Sequence, residues 1–256
     1  MGTIGRTWRA MKYVRKRTSV PFCGGRKRGA ARLRDWLIVY TGHAMTCQVF
    51  LPVTQGSTLC SAVNVAELQR QVEYKFAPVP LLAVQALANT FAFEPEEERL
   101  LNPESARAWL VESELATPTV VVGEGEFRRL VDFRAVVRDM LDANLTGELN
   151  DETATAFERF AREHPVRLSS PEPGHLDLDL EPARSVDEFI GQIVGISYRA
   201  QVTGEWQRLK VCASDECRWA FYDASRNRSG TWCQMEICGN KIKNRAYRQR
   251  RRATAH

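Results

Sequence analysis

Apolar residues along this chain recur mostly at three- and four-residue steps. Leu81, Leu82, Val84, Leu87 and Ala88 lie at helical spacing just before Asn89-Thr90-Phe91. Phe127, Leu130, Val131, Val137 and Leu141 repeat the pattern across Glu124–Leu145, the longest predicted helix. Asn102-Pro103-Glu104 supplies a capping side chain, a proline at the first helical position and an early acid. A helix opens there and runs through Ala108, Trp109, Leu110 and Leu115, ending before Pro118. The acidic run Glu94–Glu98 reads as a loop ahead of it. Asn150-Asp151-Glu152 opens a further helix with Phe157 and Phe160 inward, which Pro165 closes.

Between Val166 and Leu180 the period changes to two. Leu176, Leu178 and Leu180 alternate with Asp177, Asp179 and Glu181, and Pro171–Gly174 supplies a turn, so a hairpin with a wet aspartate face is predicted. Ser185-Val186-Asp187-Glu188 is a capping box that opens a helix through Phe189, Ile193, Val194 and Ile196, which Gly204 ends. The fold class expected is α+β: a mostly helical body with a small β-hairpin, then a small C-terminal metal knuckle and a basic helix.

Upstream of Val79 the pattern is poor. Basic clusters at Arg15–Arg17 and Arg26–Arg28 are interrupted by Pro21, Gly24, Gly25 and Gly29, and Cys23, Cys47 and Cys60 form no recognisable motif. Residues 1–75 are expected to be a basic extension, disordered or a mis-assigned start, with Met45 or a start near Val72 leaving a compact protein. Residues 79–205 would form the body and 206–256 the knuckle.

Two cysteine pairs, Cys212/Cys217 and Cys233/Cys238, each enclose four residues and stand fifteen residues apart. A tight turn brings the sulfurs of each pair to one ion, and the intervening stretch can build a hairpin or knuckle and return. Four thiolates suit one structural Zn²⁺ with no ligand position open to substrate. Disulfides need an oxidising compartment, and no secretory signal is legible. An iron–sulfur cluster fits two even pairs less well. Trp219, Phe221 and Trp232 would fill the knuckle around the metal, with base stacking by the tryptophans the lesser alternative.

Charge separates along the chain. The net +5 conceals twenty-three acids against eleven bases over residues 91–200, and seven bases with no acid from Lys241 to Arg252. An acidic body and a basic end point to a polyanion as the partner of the tail. No phosphate-binding glycine loop, GxSxG or HExxH is present, and the four histidines are scattered, so an enzyme is not expected. No apolar run approaches membrane-spanning length.

The residues Cys212, Cys217, Trp219, Phe221, Asp223, Ser225, Arg226, Asn227, Trp232, Cys233, Met235, Cys238, Gly239 and Asn240 together resemble the CGNR zinc finger of bacterial regulators. Lys241 stands where the family carries arginine, keeping the charge without the planar fork. Looser features resemble the ABATE domain that precedes this finger: Leu87-Ala88-Asn89-Thr90, the Trp109 helix, and the hairpin before the last body helix. Relatives usually carry an Asp–Phe pair just before the Asn-Thr, where Ala86 and Leu87 stand here.

The resemblance implies a cytoplasmic, DNA-binding transcription regulator, with the body as sensor or dimerisation domain. The helix after Gly239 would place Lys241, Lys243, Arg245, Arg248, Arg250, Arg251 and Arg252 on phosphates. Asn240, Asn244 and Gln249 could read base edges, and Arg226 and Arg228 could add a second phosphate contact. A homodimer would suit paired half-sites, and a small-molecule effector would have its place on the body. The alternative is a zinc-stabilised RNA- or protein-interaction module without sequence-specific DNA binding. Cys233→Ser is expected to release the metal and unfold only the finger.

Overall fold

The computed structural model describes residues 63–253, which fall within one compact unit. The first helix, α1 (Val65–Val72), lies inside the segment expected to be an extension. It is a working part of the body: Asn64 caps it, Leu68 and Val72 are buried, and Gln71 accepts the Trp109 indole N–H at 2.7 Å. The folded body therefore begins at least as early as Val63. The rest of the expected extension, with Cys23, Cys47 and Cys60, lies outside the described residues.

Helix α2 (Leu81–Ala88) is buried on every side, as befits eight residues with no charge among them. The long helix α4 (Glu124–Thr146) crosses it and turns Leu130, Phe133, Val137 and Leu141 into the core. Helices α3 (Pro103–Glu112), α5 (Asp151–Glu163) and α6 (Val186–Thr203) complete the body. Their cap residues are the expected ones: Asn102 accepts from the Ser105 N–H, Asn150 from Thr153 and Ser185 from Glu188. The box expected at Ser185 is half formed, because the Glu188 carboxylate accepts the Arg184 N–H at 2.9 Å. Gly204 stops α6 at φ 75°, a left-handed conformation that costs glycine little. Helix α3 ends earlier than expected. Glu114 turns left-handed at φ 54°, and Leu115 enters the core from the following turn, its N–H bonded to the Leu110 carbonyl.

The acidic run is also not the expected loop. Phe91–Phe93 (β1) and Glu96–Glu98 (β2) pair antiparallel, with Phe91 opposite Glu98 and Phe93 opposite Glu96. Two arginines inside the apolar stripe of α4 hold this hairpin. Buried Arg134 grips both Glu98 carboxylate oxygens at 2.6 and 2.7 Å, and Arg138 lies 4.9 Å from the centre of the Phe93 ring. The predicted hairpin exists but is short: Leu168–Ser169 (β3) pairs with Asp177–Leu178 (β4). Its aspartates are not simply solvated, since Asp177 pairs with Arg199 and Asp179 with Arg167. A third antiparallel pair, β5 (Leu209–Val211) with β6 (Ala220–Tyr222), begins the metal-binding region.

Candidate zinc centre and basic helix

The buried strand β5 follows a single turn at Trp206–Arg208 and delivers Cys212 from its end. The chain loops through Cys217 and returns as β6, closed by the Cys212 N–H bonding the Trp219 carbonyl at 2.9 Å. The hairpin thus encloses the first cysteine pair, and the stretch between the pairs supplies only its second strand, β6, where the spacing allows a whole hairpin. The rest of that stretch is a loop organised by Asp223. Its carboxylate accepts the N–H groups of Ser225 at 3.0 Å and Gly230 at 2.7 Å and pairs with buried Lys210 at 3.2 Å. A Cβ at position 230 would stand 2.8 Å from that carboxyl group, so the approach requires glycine. Burial works against ionisation of Asp223, but the hydrogen bonds from Ser225 and Gly230 and the Lys210 ammonium outweigh it and hold the acid at about 2.

Of the second pair, Cys233 lies just before a wide helical turn, Met235–Gly239, and Cys238 within it; the turn continues without a break into α7 (Asn240–Ala253). All four Sγ atoms lie within 4.8 Å of one another, with Cys217–Cys233 at 3.5 Å and Cys233–Cys238 at 3.7 Å. A tetrahedron with Zn–S bonds of about 2.3 Å has S–S edges of about 3.8 Å, so the cluster fits one zinc ion. Left to themselves, thiols this close cannot all ionise. Hydrogen bonds from Cys217 and Cys233 pull Cys212 down, and bonding to Cys212 drives Cys217 upward. Bonding to Cys212 also raises Cys233, and burial raises Cys238. A divalent cation removes the conflict by stabilising all four thiolates. Cys212, Cys233 and Cys238 are buried and Cys217 half-buried, as suits a closed structural site.

Trp219 and Phe221 are buried around the cluster, while Trp232 is half-buried. The Trp219 indole N–H is spent on the Val72 carbonyl at 3.1 Å. This is the geometry of a metal shield tied to the body.

Several polar side chains dock the knuckle on the body. Asn89 holds the backbone of Ala220 at both ends, accepting its N–H at 2.8 Å and donating to its carbonyl at 2.9 Å. Gln85 donates to the same carbonyl, Arg138 reaches Arg218 O at 2.6 Å, and Asn144 donates to Trp206 O and Leu209 O. After α1, the Lys75 ammonium donates to Trp232 O at 2.7 Å, and the Tyr74 hydroxyl lies 3.8 Å from Cys233 Sγ. The spacing pattern does not reveal these residues. Their one signal is a polar or charged residue within or just after an otherwise apolar helical stripe, as at Gln85, Asn89 and Arg138.

The expected nucleic-acid contacts are placed in different ways. Lys243, Asn244, Arg248 and Arg250 are exposed along α7, and Arg251 stacks over the Tyr247 ring. Lys241 and Arg245 are already paired with acids: Lys241 lies 3.0 Å from both Glu94 oxygens and 2.6 Å from Glu216, which also holds Arg245 at 3.4 Å. Glu216, then Glu94, raises the Lys241 ammonium above its ordinary range. Asn240 donates to Glu236 O at 3.1 Å. Arg226 and Arg228 are exposed in the Asp223 loop, the Arg228 guanidinium lying beside Gly204 at the end of α6. The side chains of Gln249 and Arg252 lie outside the described residues.

A four-thiolate knuckle that opens a basic helix defines a zinc-finger protein, here with its finger docked on a helical body. Residues 208–251 match the family model of the CGNR zinc finger, and residues 83–191 match ABATE, described as "Putative stress-induced transcription regulator". The chain thus carries an ABATE domain followed by a CGNR zinc finger with one structural zinc site. Both are regulator and zinc-finger types, not enzyme classes. No curated protein matches the chain. Among the described residues no helix is long and apolar enough to cross a membrane. Residues 63–82, which supply Tyr74, Lys75 and the Val72 carbonyl to the finger, lie outside both matched segments.

Proposed function

We propose that the protein is a zinc-dependent, DNA-binding transcription regulator working in the cytoplasm. One observation carries the reading: the turn that holds Cys238 is continuous with α7, so the metal fixes the root of an exposed helix bearing seven Lys/Arg. A helix anchored at its base and basic along its length presents an array of charges to a phosphate backbone. Exposed Asn244 lies among those charges, where it can meet a base edge in the major groove. The acidic body carries the finger and is the natural seat for effector binding or dimerisation. No catalytic step is part of this reading.

The test is a gel shift of the full chain against its own upstream DNA and random DNA, with and without chelator, at two salt concentrations. Chelator-sensitive binding that keeps its preference at the higher salt is the expected result. Binding that ignores sequence and vanishes with salt sinks the regulator reading, and directs attention to RNA or a protein partner.

A further inference from the structure

The first turn of α7 meets two carboxylates from distant parts of the chain. Glu216 comes from the loop between the first two cysteines. Glu94 stands at the tip of the β1–β2 hairpin, 147 residues away from Lys241 in sequence. Both converge on Lys241, and Glu216 also reaches Arg245. Glu94 is not on a free loop. Its hairpin is pinned at the other end by the Arg134–Glu98 pair and along its side by Arg138 over Phe93. The carboxylate is therefore held out toward the helix by buried groups of the body. Lys241, Glu94 and Glu216 are each about half exposed, so water and ions screen the contact and a competing anion can reach it.

Building on the DNA-binding reading, we propose that Glu94 and Glu216 form an intramolecular acidic clamp that competes with nucleic-acid phosphates for Lys241 and Arg245. The acidic hairpin of the body thereby sets the affinity of the helix. Lys241 is a latent phosphate contact: a phosphate reaches it only by displacing carboxylates already in place, and those carboxylates, once displaced, still repel the backbone. The clamp also has a signature in salt dependence. While the clamp holds, Lys241 neutralises no phosphate and releases no condensed counterion, whereas an unclamped lysine neutralises one and adds about one to the salt slope.

The experiment compares full-length, zinc-loaded wild type with Glu94→Gln, Glu94→Gln/Glu216→Gln and Glu97→Gln, on one duplex over a range of salt. Glu97 lies in the same hairpin opposite Ala92, so its neutralisation removes the same charge from the same element without touching the Lys241 contact. Exposed ion pairs of this kind imply an affinity gain of about threefold for Glu94→Gln and about tenfold for the double variant at low salt. The salt slope should steepen by about one for the double variant, and Glu97→Gln should stay near wild type. Zinc content, measured on each protein, guards against damage at Cys217, which adjoins Glu216 and lines one cleft with Glu94. Equal affinities and slopes in all four proteins overturn the clamp and leave the DNA-binding reading intact. So does a gain with Glu97→Gln as large as that with Glu94→Gln, which would make the effect one of net charge. Absence of binding by every protein overturns the DNA-binding reading, and the clamp with it.

Discussion

The two faces of the zinc finger are held in opposite ways. On the inner face, β5 and β6 are buried against α2 and α4, with Leu209, Val211 and Ala220 in the core and hydrogen bonds from Asn89 and Arg138 side chains to backbone. On the outer face, α7 leaves the cluster with Lys241 and Arg245 held in exposed ion pairs by Glu94 and Glu216. Buried, satisfied polar contacts are costly to break, because the partner left behind has no water. Exposed ion pairs exchange easily with solvent or another anion. The inner face is built to stay, and the outer face is built to change partners. Mutations should divide along the same line.

The largest effect should come from the metal. Removing zinc, or Cys233→Ser, should destabilise the body as well as the finger, because Asn89, Arg138, Asn144 and Lys75 lose the backbone they hold. A loss of about 5 kcal/mol would lower the melting temperature of a domain this size by about 10–20 °C. The check is a thermal melt of the body helices by circular dichroism with zinc bound and removed. An unchanged body melt alongside a lost finger would restore the independent finger that the sequence pattern suggests.

Next comes the loop of the inner face. Asp223→Asn leaves the buried Lys210 ammonium without a counter-charge, which should cost about 3 kcal/mol in urea denaturation with zinc present. The pH dependence follows from the sign of the shift. Asp223 is held at about 2, below its usual carboxylate value, so its contribution is complete above pH 4 or so and fades as pH falls through about 2. The difference between wild type and variant should therefore be flat from about pH 5 to pH 8. A difference that drifts across that window would show that another group carries the effect.

Asn89→Ala tests the docking itself. It strips the Ala220 N–H of its partner, whereas the carbonyl keeps Gln85, so about 2 kcal/mol is expected. The measurement is urea denaturation together with zinc affinity by chelator competition. Wild-type values in both would mean that the bidentate contact contributes nothing to holding the finger.

What could be read from the sequence follows the range of the interactions. Helix starts at Asn102, Asn150 and Ser185 and the stop at Gly204 depend on neighbouring residues, and they appear as expected. The four cysteines were legible because metal-ligand spacing is local within each pair. The β1–β2 hairpin was not, because Glu96–Glu98 reads as a charge run until Arg134, from a helix 36 residues on, neutralises Glu98. Tyr74 and Lys75 were hidden for the same reason. They serve a finger more than 150 residues away, and nothing in their own surroundings marks them.

The smallest stability effects should lie on the outer face, where they are most informative. Lys243→Ala and Arg248→Ala change exposed positions of α7 and should alter unfolding by no more than about 0.5 kcal/mol. If α7 carries the function, each should nevertheless weaken duplex binding and reduce the slope of log affinity against log salt by about one. Asn89→Ala should show the converse, a clear loss of stability with an unchanged slope in the zinc-loaded protein. Stability and salt slope would then separate cleanly between the faces. A substitution on α7 that unfolds the protein, or leaves the slope untouched, would show that the helix belongs to the scaffold and that the polyanion is bound elsewhere.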